Sequence, residues 1–355
     1  MEKLILKKGL ILHPKYKDIA EEIYRKIEEN EYFYRLPSLR KLSEEYNANV
    51  RTIWKAIKLL EKKGVVRIIP NKGIEIIGKK TISIGIIGLL DERFFYQEKI
   101  EPVDYEGIIL NYFFPKISEK GDILIYERNT PDFRYSDLLK NHTNIDGLVI
   151  IIPWNRTKKE LLSFRKNNIP YVTIGNTFEE PINYVDSDNV NDTKEAVNYL
   201  IKKGHRRILF IGFTQDKNIP QLRLEGYKLA LKENNIPVDK NFIIMENRED
   251  PTFEKKIKKI FSQKNLPTAI FGADIPNTIG LFEIIGDLKE KLDVIVYDDF
   301  GDIIGRYKNY YGVIQQPLKE ISETAIDSLY KMIKEKRCTL IQIKLKSKLI
   351  FKERG

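Results

Sequence analysis

Thiol chemistry is nearly absent from this sequence: Cys338 is the single cysteine among 355 residues. One thiol excludes an intramolecular disulfide and any zinc site built from thiolates, and it predicts a reducing compartment. Histidine is almost as scarce. His13, His142 and His205 stand far apart, without HExxH or any paired spacing, so no metal site and no cofactor are expected. No stretch approaches twenty uninterrupted apolar residues, as a membrane-spanning helix would require. The opening MEKLILKKGLILHPK breaks its apolar runs at Lys7 and Lys8 and offers no small-residue cleavage site, so a secretory leader is not expected and the location read from the sequence is cytoplasmic. Nucleotide-binding fingerprints are also missing. Ile84 to Gly88 is not GxGxxG, and the segment from Gly73 to Lys80 resembles a P-loop but ends GKK where Ser or Thr should bind magnesium.

What is present is a chain rich enough to fold. At 42% hydrophobic and 11% aromatic it is neither disordered nor collagen-like, and its length predicts two or three domains at roughly 150 residues each. The formal charge of +10 is unevenly placed. Residues 1 to 80 hold 19 Lys and Arg against 11 Asp and Glu, leaving 42 against 40 for the rest. A basic small domain on a near-neutral large one suits a polyanion-binding module, although a membrane surface could attract the same charge.

Within that basic fifth, Ile19, Ile23 and Ile27 repeat every four residues and predict an amphipathic helix over 16 to 30. Pro37-Ser38 opens a second short helix whose Leu39, Leu42 and Tyr46 can face the first. Asn49 is a plausible N-cap for a third, running from Val50 to Lys63 and stopped by Gly64. At 100° per residue the third helix places Ile53, Ala56, Ile57 and Leu60 on one side and Arg51, Lys55, Lys58 and Lys62 on the other. VVRIIPNKGIEII then reads as a hairpin tipped by Lys72. Three helices and a hairpin give a winged helix-turn-helix, whose third helix enters the major groove while helix ends and wing grip phosphate. A solvated charged face is the plainer reading of the stripe by itself.

The segment LPSLRKLSEEYNANVRTIWKAIKLLEKKGVV is similar to the DNA-binding part of GntR-type transcriptional regulators, through Leu36-Pro37-Ser38, Arg40, Leu42, Thr52, Ala56, Leu60 and Gly64 at the family's spacing. That resemblance implies DNA contacts from Ser38, Arg40, Asn49, Arg51, Thr52, Lys55 and Lys72. Two departures stand out. Val50 and Trp54 occupy positions where the family usually carries arginine, and Leu39 and Lys41 flank Arg40 in place of acidic residues. Either the operator differs from the family's, or binding leans on phosphate contacts; Trp54 could equally be a core or partner-facing ring.

From Thr81 onward, short apolar runs alternate with helical stretches: ISIGIIGLL, ILIYE, GLVIII, PYVTIG, RRILFIG, NFIIME, TAIFGAD and DVIVYDD. Continuous Val/Ile runs spaced by helices predict parallel sheets covered on both faces, in two doubly wound lobes. Ligands then bind beyond the carboxyl ends of the strands. Those ends carry Asp91, Phe94 and Phe95, then Trp154, Asp274, and Asp298-Asp299. Carboxylates and rings suit a polyhydroxylated ligand, while each Asp alone could be a helix cap and each ring a core residue.

INYVDSDN, AVNYLIKKGHRRILFIG, RLEGYKLAL, TAIFGAD, VIVYDDF, VIQQP and KLKSKLIFKERG resemble the effector domain of LacI/GalR-type repressors, a fold shared with periplasmic sugar-binding proteins. The two similarities divide the chain into residues 1–77 as reader, 78–80 as linker and 81–355 as a two-lobed effector and dimerisation domain. Such a fusion is similar to the arabinose-repressor type of regulator. It implies a homodimer on double-stranded operator DNA, responding to a sugar such as arabinose or another pentose. By motif, Arg223 matches the arginine that grips effector hydroxyls, Asp298 the acidic contact, and Gln316 the QP element near pocket and hinge. Asp274-Ile275 stands where the family has Asn-Asp, so one contact turns acidic and one is lost. His205 reads as a helix C-terminal cap, and Pro102 interrupts the helix behind Phe94 and Phe95. Against a sugar-responsive repressor stand a sensor with a degenerate reader, a solute-binding protein and a Rossmann-like enzyme.

Overall fold

The computed structural model describes residues 15–28, 31–32, 35–70, 72–77, 82–88, 105–120, 122–130, 132–142, 145–212, 218–299, 303–308 and 310–353. Phe94, Phe95, Asp91, Pro102 and the expected linker 78–80 lie outside them. The chain divides into two compact units: Met1–Ile82 with Ile117–Ile123, and Ser83–Lys116 with Leu124–Gly355.

In the first unit, α1 (Tyr16–Glu28), α2 (Leu39–Glu45) and α3 (Val50–Lys62) precede the antiparallel pair β1 (Val66–Ile69) and β2 (Gly73–Ile76). Local chemistry sets the helix ends. Ser38 Oγ accepts from Lys41 N at 3.3 Å, and Asn49 Oδ1 accepts from Thr52 N at 2.8 Å, so each second and third helix begins on a side-chain cap. Gly64 leaves α3 at φ +72°, a left-handed turn that costs glycine little. Ile19, Ile23 and Ile27 meet Leu42, Ile53, Ile57 and Leu60 in one buried cluster that also takes Val66 and Ile74 from the hairpin. Each such side chain contributes about 1.5–3 kcal/mol by burial, which holds three short helices that would not persist alone.

The second unit contains two six-stranded sheets. The first comprises β3 (Ser83–Gly88), β4 (Ile123–Arg128), β5 (Gly147–Ile151), β6 (Tyr171–Ile174), β7 (Tyr184–Ser187) and β13 (Gln342–Leu345), in the order β13-β7-β6-β5-β3-β4. The other comprises β8 (Ile208–Ile211), β9 (Ile243–Ile244), β10 (Ala269–Gly272), β11 (Asp293–Tyr297), β12 (Tyr310–Gln315) and β14 (Lys348–Glu353), in the order β14-β12-β11-β10-β8-β9. Parallel pairs dominate, and the Val/Ile runs are buried on both faces as expected. One edge differs from the parallel expectation: β14 returns antiparallel to β12 over six residues.

Helices α4 (Tyr105–Glu119), α5 (Tyr135–Asn141) and α6 (Lys158–Lys166) belong to the first lobe; α7 (Asn189–Lys202), α8 (Ile219–Glu233), α9 (Pro251–Phe261) and α10 (Ile275–Ile285) to the second. The chain passes between sheets three times, after β7, after β12 through α11 (Leu318–Glu335), and between β13 and β14. Two clusters, one around Leu281 and Val296 and the other around Leu200 and Phe271, cover the two faces of the second sheet. α7 and α8 approach closely at Gly226, where a Cβ would run into the Val190 carbonyl.

Candidate functional site

Two places carry chemistry. On the first unit, the face of α3 opposite its buried stripe is exposed at Arg51, Lys55, Lys58 and Lys62. Lys58 is committed elsewhere: it pairs with Glu61 at 2.7 Å and lies 5.1 Å over the Trp54 ring. Arg51 and Lys55 have no acidic partner among the described residues and are available to phosphate. Ser38, Arg40, Trp54 and Lys72 line one groove of about 640 Å³ between the start of α2, α3 and the hairpin. Asn49 and Thr52 are bound to each other, since the Thr52 hydroxyl also donates to Asn49 Oδ1 at 3.0 Å. Trp54 is 37% exposed and Val50 48%, so neither belongs to the core.

On the second unit, Arg223 in α8 is the centre of a buried polar network. Its Nε donates to Asn189 Oδ1 at 2.8 Å and its Nη1 to the Ala273 carbonyl at 2.6 Å. Its guanidinium carbon lies 3.4 Å from the centre of the Tyr297 ring, and Nη2 stands 4.0 Å from Asp298 Oδ2. Gln316 Nε2 donates to that same oxygen at 2.6 Å. Arg223, Asp298 and Gln316 are each under a tenth exposed. The network thus joins residues from α8, from the end of β11 and from the segment after β12.

Asp298 takes φ +60° at the carboxyl end of β11, a left-handed conformation uncommon for a residue with a side chain. Asp186, at the end of β7, faces the network from the other sheet; its carboxylate accepts from Ser187 N at 2.8 Å, Thr177 Oγ1 at 3.2 Å and Asn189 Nδ2 at 3.3 Å. Burial pushes the Asp186 carboxyl up to about 7, against the pull of its hydrogen bonds and Arg223. Burial likewise pushes Asp298 up to about 6, with Arg223 and Gln316 opposing. Tyr105 is held well above the usual phenol range by burial and by these two carboxylates.

The sheets are tied beside this network. Ser187 Oγ and the Tyr297 hydroxyl share a 3.1 Å hydrogen bond. Asn218 N donates to Asn176 Oδ1 at 3.1 Å, and Asn218 Nδ2 to the Thr177 carbonyl at 2.7 Å, clasping the start of α8 to the end of β6. Asp186, Asn189, Tyr297, Asn176 and Asn218 had no assigned role in the sequence reading. The first two fall in INYVDSDN, one of the segments that resemble LacI/GalR-type effector domains, and that resemblance assigns them no role.

Other expected residues fall elsewhere. Asp274 caps α10, accepting from Asn277 N at 2.8 Å, while it is the carbonyl of its neighbour Ala273 that Arg223 engages. Trp154 follows β5, with Arg156 stacked 4.5 Å over its ring. The His205 backbone N–H donates to the Leu200 carbonyl at 3.2 Å and closes α7, as a cap should. Its imidazole does something the cap reading missed, bridging Thr268 Oγ1 and Asp293 Oδ2 at 3.0 Å each. Among the described residues no group of His, Cys, Asp and Glu could hold a metal ion, and no helix is long and apolar enough to cross a membrane.

An exposed basic recognition helix with a hairpin, and two sheets around a buried Arg–Asp–Gln network, define a DNA-binding module joined to a two-lobed ligand-binding domain. Residues 15–76 match the family of bacterial regulatory proteins, gntR family, and residues 197–353 match the periplasmic binding protein-like domain. The chain is a GntR-type helix-turn-helix domain fused to a LacI-type effector domain. It is 29% identical to the HTH-type transcriptional regulator MalR of Clostridium butyricum, over 61% of this chain and 68% of that protein. It is 25% identical to the ribose operon repressor of Escherichia coli, over 78% of this chain and 82% of the other. Among solved structures, the transcriptional regulator CelR–cellobiose complex superposes with a TM-score of 0.63 at 17% identity, covering 96% of this chain and all of that one, 100%. A transcriptional regulator LacI from Bacillus cereus gives 0.64 at 19% identity, covering 78% and 99%.

Proposed function

We propose that this chain is a ligand-responsive transcriptional repressor, acting in the cytoplasm as a homodimer, with residues 1–77 holding operator DNA and residues 81–355 binding a small sugar. The observation that carries the reading is the Arg223–Asp298–Gln316 network at the carboxyl ends of the strands, in a chain that also presents the exposed Arg51 and Lys55 on a capped third helix. Buried carboxylates accept hydroxyl hydrogen bonds, and a guanidinium donates them, which suits a polyol. The names of the relatives support the same class, since one is a ribose operon repressor and one a CelR structure with cellobiose.

In this mechanism a sugar bridges Asp186 of one sheet and Arg223 and Asp298 of the other and changes the angle between lobes. The paired effector domains then hold the two winged helices at a different spacing, and the half-sites no longer match. Fluorescence anisotropy of the full chain on DNA from upstream of its own gene, with shuffled DNA as control and a panel of pentoses and hexoses, tests it. Specific binding weakened by one sugar is the expected result. Equal binding to native and shuffled DNA would favour a sugar sensor whose reader has degenerated, a reading motivated by Val50 and Trp54.

A further inference from the structure

The exposed edge of α3 that leads toward the hairpin is apolar. Val50 and Trp54 are one turn apart, about 6 Å along the helix axis and about 40° around it, and both are open to solvent at 48% and 37%. Six ångströms spans roughly two base-pair steps at 3.4 Å each. The groove beside Trp54 is walled by Leu36, Pro37 and Ile68, and it carries Arg40 and Lys72 on its lining. Cations around an apolar floor complement a duplex, whose phosphates flank the bases.

The alternatives for reading a base along this edge are few. Guanine is read by a forked donor, and neither Val50 nor Trp54 supplies one. Adenine is read by a carboxamide using both its oxygen and its nitrogen. The carboxamide adjacent to Val50 belongs to Asn49, whose oxygen is occupied by Thr52 N and Thr52 Oγ1 at 2.8 and 3.0 Å. Lys58, the cation nearest the ring, is bound to Glu61 at 2.7 Å, and Glu61 also accepts from Ile68 N at 3.2 Å. What the edge offers to the major groove is hydrocarbon and an indole face. The one apolar group in the major groove is the thymine 5-methyl.

We infer that Val50 and Trp54 are specificity-determining residues that select operators with thymine methyl groups at neighbouring major-groove steps in each half-site. This rests on the operator-binding reading above and adds to it which bases are read and by what chemistry. The lysine stack has a part in it: Lys58 over the indole, pinned by Glu61, limits the ring's rotamers so that it presents one face.

The test starts from a duplex selected by the full chain out of a random pool, in which each thymine is replaced in turn by deoxyuridine, a change that deletes the methyl and nothing else. Wild-type chain should lose about fourfold in affinity per contacted methyl at one or two positions of each half-site. Trp54→Ala and Val50→Ala should bind more weakly, respond less or not at all to uracil at the matching position, and keep their affinity for shuffled DNA. Trp54→Arg should move the preference at its position toward guanine. Uracil tolerated at every position, or the same uracil penalty in wild type and both alanine variants, overturns the inference while leaving sequence-specific binding intact. A selection that returns no consensus removes operator reading itself and the inference with it.

Discussion

Removing the Arg223 guanidinium should cost more stability at pH 8 than at pH 5. Folding buries Asp298 and Asp186 and lifts their carboxyls to about 6 and about 7, from an unfolded value near 3.8. Folded states that raise a carboxyl's pKa take up protons, so wild-type stability is greatest on the acid side and falls as pH rises from about 4 through about 7. At 1.36 kcal/mol per unit the burden is about 3 kcal/mol for Asp298 and about 4 kcal/mol for Asp186, and the two are coupled rather than additive. Above pH 7 both are ionised and Arg223 compensates them at Asp298, with 4.0 Å between Nη2 and Oδ2. Taking it away leaves buried carboxylates exposed to their desolvation cost, about 3–5 kcal/mol in comparable pairs. Below pH 6 both carboxyls carry protons for much of the time. What Arg223→Ala then loses is chiefly its bonds to Asn189 and Ala273, on the order of 1–3 kcal/mol.

The pH-dependent part of the penalty is therefore about 2 kcal/mol. The chain's two tryptophans, Trp54 and Trp154, lie in different units, so a Trp54→Phe background leaves Trp154 as a fluorescent reporter of the effector unit. Urea unfolding of this background with and without Arg223→Ala, at pH 5 and pH 8, reads the two penalties directly. Arg223→Lys, which keeps the charge and loses the fork, should fall between them at pH 8. An equal penalty at both pH values, or a larger one at pH 5, would refute the assignment of Arg223 as the counter-ion of this network.

Gly226→Ala should destabilise the effector unit by about 1–2 kcal/mol despite alanine's better helix propensity, because the new methyl meets the Val190 carbonyl and forces α8 away from α7; thermal unfolding measures it. Sugar affinity should weaken with it, since Arg223 lies one turn earlier on the same helix. Asn49→Ala removes the α3 cap and should lower the stability of the reader by about 1 kcal/mol, followed by Trp54 fluorescence in a Trp154→Phe background. Lys72→Ala should weaken binding similarly on native and shuffled DNA and reduce the slope of log affinity against log salt by about 1, as titration at several salt concentrations would show.

Much of the reader was legible because its determinants are local. Caps at Ser38 and Asn49, a left-handed glycine at Gly64 and the stripe of Ile53, Ile57 and Leu60 are decided by residues within one turn of each other. The buried strands were legible for a related reason, since a parallel strand covered on both faces is written as an uninterrupted Val/Ile run. Strands β13 and β14 escaped because each stands at a sheet edge and mixes lysine with apolar residues, QIKL and KLIFKE, in place of an uninterrupted apolar run.

By itself the sequence determined the two domain types, the basic face of α3, and the identity of Arg223, Asp298 and Gln316 as residues to watch. Tertiary structure decided which carboxylates meet the buried guanidinium. Asp274 and Asp298 both follow a buried strand and look alike in the sequence, yet one closes the start of α10 and the other meets the buried guanidinium. Asp186, to which the sequence assigns no role, has its carboxyl pushed up to about 7 because the fold buries it, against the pull of its hydrogen bonds and Arg223. Burial and charge pairing are properties of neighbours, and those neighbours are supplied by a chain that passes three times between its sheets.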